Sequence, residues 1–318
     1  MDISIIVPLF NEAESLPELH RWISQVMTTN GYSYEIILID DGSNDGSWNW
    51  IEKTSLTDPS LKGIRFRRNY GKSAALHTGF EEAQGDVVIT MDADLQDSPD
   101  EIPGLFSMIK ENGFDLVSGW KKKRFDPLSK RLPSKIYNAT ASYVTGIKLH
   151  DFNCGLKAYK LEVVKSIEVY GEMHRYIPYM AKQAGFSNIG ERIVQHQARK
   201  YGVTKFGLSR FIFGYLDLMS ISFISRFGKR PMHLFGTLGS LMFVLGFFVI
   251  ALMGVYKLIR LAHGVLIERI TQDPYFYLAL TLMILGTQLF LAGFLGELIS
   301  RSATERNRYL IDKTVNLP

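Results

Sequence analysis

Asp92 and Asp94 stand two apart, directly after the apolar run Asp86-Val87-Val88-Ile89. The run reads as a buried strand, which puts both acids where a strand ends. Along an extended chain, residues two apart share a side, so the two carboxylates are expected to converge. Such a pair suits a hard divalent cation, Mg²⁺ or Mn²⁺. A cation there offsets charge on a departing diphosphate. Asp-x-Asp by itself is common in solvated turns, and its meaning depends on what the rest of the chain brings to it.

The preceding residues alternate strand and helix patterns. Ile3–Val7, Tyr34–Asp40 and Ile64–Phe66 read as strands, and the helical spacing falls at Glu12–Met27, Ser47–Ser55 and Lys72–Ala83. This alternation predicts a mostly parallel sheet with helices on both faces. Ligands of such sheets sit outside the carboxyl ends of the strands. Three of those ends carry polar signals: Phe10-Asn11-Glu12, Asp40-Asp41-Gly42-Ser43 and Asp92-Ala93-Asp94. Their convergence is more specific than any one of them. Further strands are expected at Asp115–Gly119, Gly155–Tyr159 and Ile189–Val194, with a helix over Ser129–Thr145.

The 318-residue chain is 46% hydrophobic and 21% charged, but the average hides a split. Beyond Arg230 lie two apolar stretches, Leu234–Tyr256 and Tyr275–Ile299, the first without a charged residue. Each is about the length of a membrane-crossing helix. Basic residues precede the first (Arg226, Lys229, Arg230) and follow the second (Arg301, Arg306, Arg308). The positive-inside rule then places both termini in the cytoplasm. Met1-Asp2-Ile3-Ser4 reads as the start of a strand, without the basic region of a signal peptide. The net charge of +4 is read as attraction to a membrane surface, not to nucleic acid. The lone cysteine, Cys154, is read as packing. His174 and His196 lack metal-ligand spacing and read as surface or structural residues.

Five motifs in order carry a resemblance: Ile6-Val7-Pro8-Leu9-Phe10-Asn11-Glu12, Asp40-Asp41-Gly42-Ser43, Arg68-Asn69-Tyr70-Gly71-Lys72, Asp92-Ala93-Asp94-Leu95-Gln96-Asp97 and Asp151-Phe152-Asn153-Cys154-Gly155. Together they resemble the polyprenyl-phosphate glycosyltransferases, a membrane branch of glycosyltransferase family two. The resemblance implies an α/β GT-A domain over residues 1–205, interfacial amphipathic helices over 206–232, a transmembrane hairpin over 233–300 and a cytoplasmic tail over 301–318. It implies a multi-pass protein of the cytoplasmic membrane.

The resemblance also assigns residues. Pro8, Phe10, Asn11, Glu12, Asp41, Lys72, Asp92 and Ala93 are expected to bind the nucleotide sugar, with Arg199 and Lys205 closing over its diphosphate. Lys72 opens a helix, where a helix N-terminus and an ammonium both suit phosphate. Asp92, Asp94 and Gln96 are expected to hold Mg²⁺ or Mn²⁺, and Asp97 to cap the turn before Pro99. Arg124, Arg131 and Ser134 resemble contacts to the acceptor phosphate, a role that fits the planar fork of arginine. Lys121–Lys123 are read as membrane-facing charge. Asp151, with Asp94, forms the catalytic pair, Asp151 orienting the acceptor as much as taking a proton.

The expected reaction is inverting transfer of a hexose, glucose from UDP-glucose first, to polyprenyl (undecaprenyl) phosphate. Mannose, galactose, N-acetylated sugars and aminoarabinose remain open. So do a non-catalytic membrane partner and a lipid flippase. A processive synthase is disfavoured because Lys200 stands where a Gln-x-x-Arg-Trp motif has tryptophan. Small residues Gly236, Gly239, Ser240, Gly293 and Gly296 permit close helix packing, and a homo-oligomer stays open.

Overall fold

The computed structural model describes residues 1–122, 138–197, 200, 223, 231–264, 269–302 and 311–316. The chain divides into two compact units, residues 1–222 with 306–318, and residues 223–305.

The first unit is built on one eight-stranded sheet. Its strands are β1 (Ile3–Leu9), β2 (Tyr34–Asp40), β3 (Leu61–Phe66), β4 (Val87–Thr90), β5 (Leu116–Trp120), β6 (Lys157–Lys160), β7 (Ile189–Ile193) and β8 (Ile311–Val315). They lie in the order β7-β5-β6-β4-β1-β2-β3-β8. β1 pairs in parallel with β2 and β4, β2 with β3, and β5 with β7. β6 runs antiparallel to both β4 and β5. β4 and β5 therefore point the same way. The carboxyl ends of β1, β2, β3, β4, β5 and β7 and the amino end of β6 all meet at one edge.

The helices α1 (Leu16–Thr29), α2 (Ser47–Ser55), α3 (Lys72–Glu82) and α4 (Ile102–Lys110) cover the sheet. Side chains of the central strands alternate between two cores, as a period of two requires. Ile3, Ile5, Val7 and Leu9 pack with α1, α2 and α4 residues such as Ile23, Trp48 and Leu105. Ile6, Ile37 and Ile39 pack on the other face with Ala75, Leu76 and Phe80 of α3. Burial on both faces explains why β1 and β2 read as near-continuous apolar runs.

β8 was not foreseen. It lies in the segment expected to be a simple tail, yet it pairs antiparallel with β3, Thr314 opposite Ile64. Its end is fastened by Asn316, whose backbone φ is +56°, a conformation asparagine tolerates better than most residues. The Asn316 amide donates to the carbonyls of Leu61 (2.8 Å) and Ser55 (3.0 Å). β8 thereby covers the edge of β3, which would otherwise present unpaired backbone groups.

The second unit contains α5 (Pro231–Ala262) and α6 (Pro274–Ser302). Both are long and apolar enough to cross a membrane. At 1.5 Å per residue α5 is about 48 Å long, more than a hydrocarbon core of about 30 Å needs. Apolar side chains including Phe247, Phe248, Leu258 and Leu278 are exposed, unlike those of a soluble core helix. The helices cross where glycine meets glycine. A Cβ on Gly239 would stand 2.5 Å from the Gly286 carbonyl oxygen, and one on Gly286 would stand 2.6 Å from that of Gly239. Gly246 lies as close to the Ala279 carbonyl, and Gly293 abuts Phe235. Small residues in these helices are thus used within the hairpin itself.

Replacing Asn316 with alanine should weaken β8 by on the order of 1–2 kcal/mol, given about 1 kcal/mol per hydrogen bond. Hydrogen exchange at residues 311–315 measures it. Asn316→Gly, which keeps the left-handed backbone, should show the loss of the amide bonds alone.

Candidate active site

The exits of β1 and β2 are knitted together before any ligand is considered. Asn11 takes a left-handed backbone, φ 55°. Its N–H donates to Ser43 Oγ at 2.8 Å, and its side-chain oxygen accepts from Asn44 N–H at 2.9 Å. Glu12 N–H donates to Ser47 Oγ at 3.1 Å. Pro8 stands opposite Ile39 in the sheet, and Pro8 and Phe10 are half-buried. The structure thus brings Pro8, Phe10, Asn11 and Glu12 beside the Asp40–Ser47 turn.

Asp41 has a structural task here that the sequence did not reveal. Its carboxylate accepts the N–H groups of Tyr70 (2.7 Å) and Gly71 (2.9 Å). It therefore ties the β2 exit to the loop that opens α3. Burial raises its pKa above the ordinary value, partly offset by those two donors. Asp40 is completely buried, and its Oδ1 accepts from Ser43 N–H at 2.8 Å.

Lys72 is the first residue of α3, and its ammonium donates to Asp92 Oδ1. Burial alone would raise the Asp92 carboxyl. The Lys72 ammonium outweighs it, with help from Lys121, and holds Asp92 well below the ordinary carboxylate range. Asp92 therefore stays ionised from about pH 5 to 8.

The two acids of the motif do not lie on an extended strand. β4 ends at Thr90, and Ala93-Asp94 form a turn. The shared-side argument fails for that reason, and a turn sets the geometry. Leu95 has φ 58°, an uncommon conformation for a branched apolar residue. Gln96 N–H donates back to Asp94 Oδ1 at 3.2 Å. Asp94 and Ala93 are buried, while the Asp92 side chain is 35% exposed.

Asp151 precedes β6, and it too is buried. Its Oδ1 accepts from Asn153 N–H at 3.1 Å, and its own N–H donates to Glu191 Oε1 at 3.1 Å. Gly155, in the same motif, touches the Asp92 carboxylate. A Cβ there would lie 2.5 Å from Asp92 Oδ2 and 2.7 Å from Cγ. The fifth motif thus packs directly on the fourth.

Two lysines support these loops and were missed as site residues. Lys157 is buried and donates to the carbonyls of Cys154 and Phe152, at 3.4 Å for Phe152. It holds the Asp151 loop from beneath, and burial lowers its pKa. Lys121 does not face a membrane. It is 13% exposed and pairs at 2.6 Å with Asp97, which is fully buried. Burial alone would lower the Lys121 pKa, but the Asp97 carboxylate reverses that and raises it. Asp97 therefore does more than cap a turn; Ser98 makes the turn contact to Asp100 N–H. Each lysine has its partner far off in sequence or on the backbone, which no charge pattern signals.

Cys154 lies in the core, and burial pushes its thiol up to about 12. His174 bonds Ser73, and His196 forms a backbone bridge with Asp97. Arg124, Arg131, Ser134, Arg199 and Lys205 lie outside the described residues.

Among the described residues no group of three or more His, Cys, Asp or Glu side chains is arranged to hold a metal alone. Asp92, Asp94 and Gln96 offer only oxygen as possible ligand atoms, the donor type that hard divalent cations take. The ammonium of Lys72 lies against the Asp92 carboxylate.

Sheet order, strand exits and motif geometry together define a nucleotide-sugar transferase domain, and the comparisons with known proteins agree. The chain belongs to glycosyl transferase family 2, which matches residues 4–168. It is 35% identical over 305 residues to the dodecaprenyl-phosphate galacturonate synthase of Rhizobium johnstonii (strain DSM 114642 / LMG 32736 / 3841), covering 95% of this chain and 88% of that protein. It is 34% identical to the undecaprenyl-phosphate 4-deoxy-4-formamido-L-arabinose transferase of Pseudomonas syringae pv. syringae (strain B728a), covering 98% of this chain and 90% of the other. The resemblance to polyprenyl-phosphate glycosyltransferases is therefore borne out. Among solved structures, mannosyl-3-phosphoglycerate synthase from Rubrobacter xylanophilus shares the fold with TM-score 0.58 at 15% identity, over 71% of this chain and 75% of that one. Glucosyl-3-phosphoglycerate synthase from Mycobacterium tuberculosis, solved with Mn²⁺, UDP-glucose and phosphoglyceric acid, does so with TM-score 0.54 at 17% identity, over 70% and 79%. The GT-A fold is thereby shown, and the chain is a glycosyltransferase.

Gly155→Ala tests the packing of the two motifs. Because Asp92 is partly exposed, it can rotate away from the new methyl, and the fold should survive. Mn²⁺-dependent binding of a nucleoside diphosphate, read by calorimetry, should weaken about tenfold or more, or about 1.4 kcal/mol. Thermal unfolding should be nearly unchanged.

Proposed function

We propose that this glycosyltransferase moves a sugar from a nucleoside-diphosphate donor to polyprenyl phosphate, with inversion at the anomeric carbon. One observation carries the reading. The Asp92–Asp94 loop, Lys72 and the Asp151 loop meet at one sheet edge, with Gly155 against Asp92. The relatives named for polyprenyl-phosphate sugar transfer match 95% and 98% of the chain, which supports the choice of acceptor.

The bond formed joins a lipid-phosphate oxygen to the anomeric carbon. The bond broken is that carbon's bond to the diphosphate, which leaves with the electron pair. A Mg²⁺ or Mn²⁺ ion held by Asp92, Asp94 and Gln96 supplies charge neutralisation on that diphosphate when bound. Lys72, at a helix N-terminus, adds a second positive group there. Asn11, Glu12, Asp41 and their neighbours frame the nucleoside, and Arg199 and Lys205 close on the diphosphate. Arg124, Arg131 and Ser134 receive the acceptor phosphate.

A phosphate monoester has its second pKa near about 6 and is largely deprotonated at neutral pH. The nucleophile therefore needs placement more than a base. Asp151, fixed by Asn153 and held on a loop braced by Lys157, is assigned to that placement, and Asp94 is assigned the second catalytic carboxylate.

We read α5 and α6 as a membrane hairpin and the first unit as cytoplasmic. β8 supports the hairpin, because residues before and after both helices share one sheet. An even number of crossings must separate them. Glucose was the sugar expected first. The names of the relatives, galacturonate and 4-deoxy-4-formamido-L-arabinose, make a uronic acid and a modified arabinose the preferred donors.

The deciding assay supplies the purified protein with polyprenyl phosphate, Mg²⁺ or Mn²⁺, and nucleotide-linked galacturonate, aminoarabinose derivatives, glucose and mannose. Labelled sugar should appear on the lipid and vanish with EDTA. No transfer from any donor, with no metal-dependent nucleotide binding, would sink the enzymatic reading. Asp151→Asn should lower kcat by about 10²-fold or more and leave the acid limb of the pH–rate profile near the phosphate pKa. Near-normal turnover at neutral pH would refute both the placement role and an essential base there.

A further inference from the structure

We propose that the outer face of α6 is the contact between two copies of this chain in the membrane, with Gln288 setting its register. This rests on the membrane reading of α5 and α6 and on nothing in the sugar-transfer chemistry.

The apolar span of α6 runs from Pro274 to Ile299, and Gln288 lies about 2 Å from its middle at 1.5 Å per residue. That is too deep for a short side chain to snorkel out of a hydrocarbon core about 30 Å thick. Gln288 is two residues past Gly286, which packs against the Gly239 carbonyl. Two residues turn a helix by about 200°, so Gln288 points away from α5, and it is exposed. Its amide has no hydrogen bond among the described residues. The threonines of the same helix are answered from within. Thr281 donates to the Tyr277 carbonyl at 2.8 Å, and Thr287 to that of Met283 at 2.9 Å.

Lipid covers apolar side chains as well as protein does, so leucines on an outer face name no partner. An amide does. It carries N–H donors and a carbonyl acceptor, and hydrocarbon offers them no bond. Its natural complement is a second amide at the same depth. The sequence fixes the direction of insertion, so every copy enters the bilayer the same way round. Two α6 helices related by a two-fold axis along the membrane normal then run parallel, and each residue faces its own counterpart. Gln288 meets Gln288. The residues around it permit that contact. Tyr277, Thr281, Ile284, Gln288, Leu291 and Leu295 are all exposed, and they recur in steps of four and three, the repeat of a left-handed helix pair. A single polar residue in such a seam specifies register and partner number.

The test places single cysteines in the full chain and oxidises them in native membranes. Cys154 is buried, and the unchanged chain is the control. Ile284→Cys and Leu291→Cys should each give a covalent dimer of the chain. Leu278→Cys, also exposed but about 80° around the helix from Gln288, should give much less. Energy transfer between labelled copies in liposomes, diluted with lipid, then reads the dissociation constant. Gln288→Leu suits the bilayer better than glutamine, so insertion is not at risk, yet it should weaken pairing about fivefold or more. Gln288→Asn, which keeps an amide, should retain part of the affinity. Equal cross-linking from 278 and 284 would mean random collision and overturn the proposal. So would unchanged pairing of Gln288→Leu, or cross-links from 284 and 291 that join only other proteins. Alkaline carbonate separates the two readings. Release of the wild type from membranes would overturn the membrane reading itself, whereas a retained chain without a dimer overturns the pairing alone.

Discussion

Four aspartates, at 92, 94, 97 and 151, are drawn to one edge of the sheet, and their mutual repulsion is the constraint that shapes the site. Charges at short range in a poorly solvated region interact far more strongly than in water. Each is answered locally. Lys72 meets Asp92 from the start of α3, Gln96 N–H meets Asp94, Lys121 meets Asp97 from the end of β5, and Asn153 N–H meets Asp151. Lys72, with help from Lys121, is what holds the Asp92 carboxyl below its ordinary range against the effect of burial. The sheet can gather so much negative charge only because it also delivers cations from separate elements.

The same arrangement explains why the strand directions matter. β6 runs against its neighbours, so its amino end, not its carboxyl end, reaches the edge. Only in that direction does the Asp151–Gly155 loop arrive beside Asp92. A parallel β6 would send the motif to the opposite edge, the 4 residues of the strand away. Lys157, as the first residue of β6, then lies directly under the loop it supports.

Much of the fold was legible in the chain because burial on two faces leaves a plain record. Ile3, Ile5 and Ile6 announce a covered strand, and Gly71 before Lys72 announces the start of a helix. The five motifs likewise marked which loops converge. What stayed hidden depended on distant partners. Lys121 resembled its solvated neighbours because Asp97 lies 24 positions earlier. The turn at Ala93-Asp94 could not be told from continued strand. β8, with Asp312, Lys313 and Thr314 and an exposed face, has the polar look of an edge strand, which alternation cannot separate from a tail. Arginines and lysines at 124, 131, 199 and 205 were named on resemblance, not on periodicity.

β8 also imposes an order on biosynthesis. The last strand of the catalytic sheet is encoded after both apolar helices, so translation finishes the hairpin before that strand exists. Until then the edge of β3 is open to solvent or to another chain, at a stage when nascent proteins aggregate most readily. Pairing of β8 with β3 requires the segments before and after α5 and α6 to lie on the same side of any bilayer those helices cross. The clasp at the carboxyl end thus closes the sheet last in order of synthesis, joining segments that lie on either side of the two apolar helices in sequence.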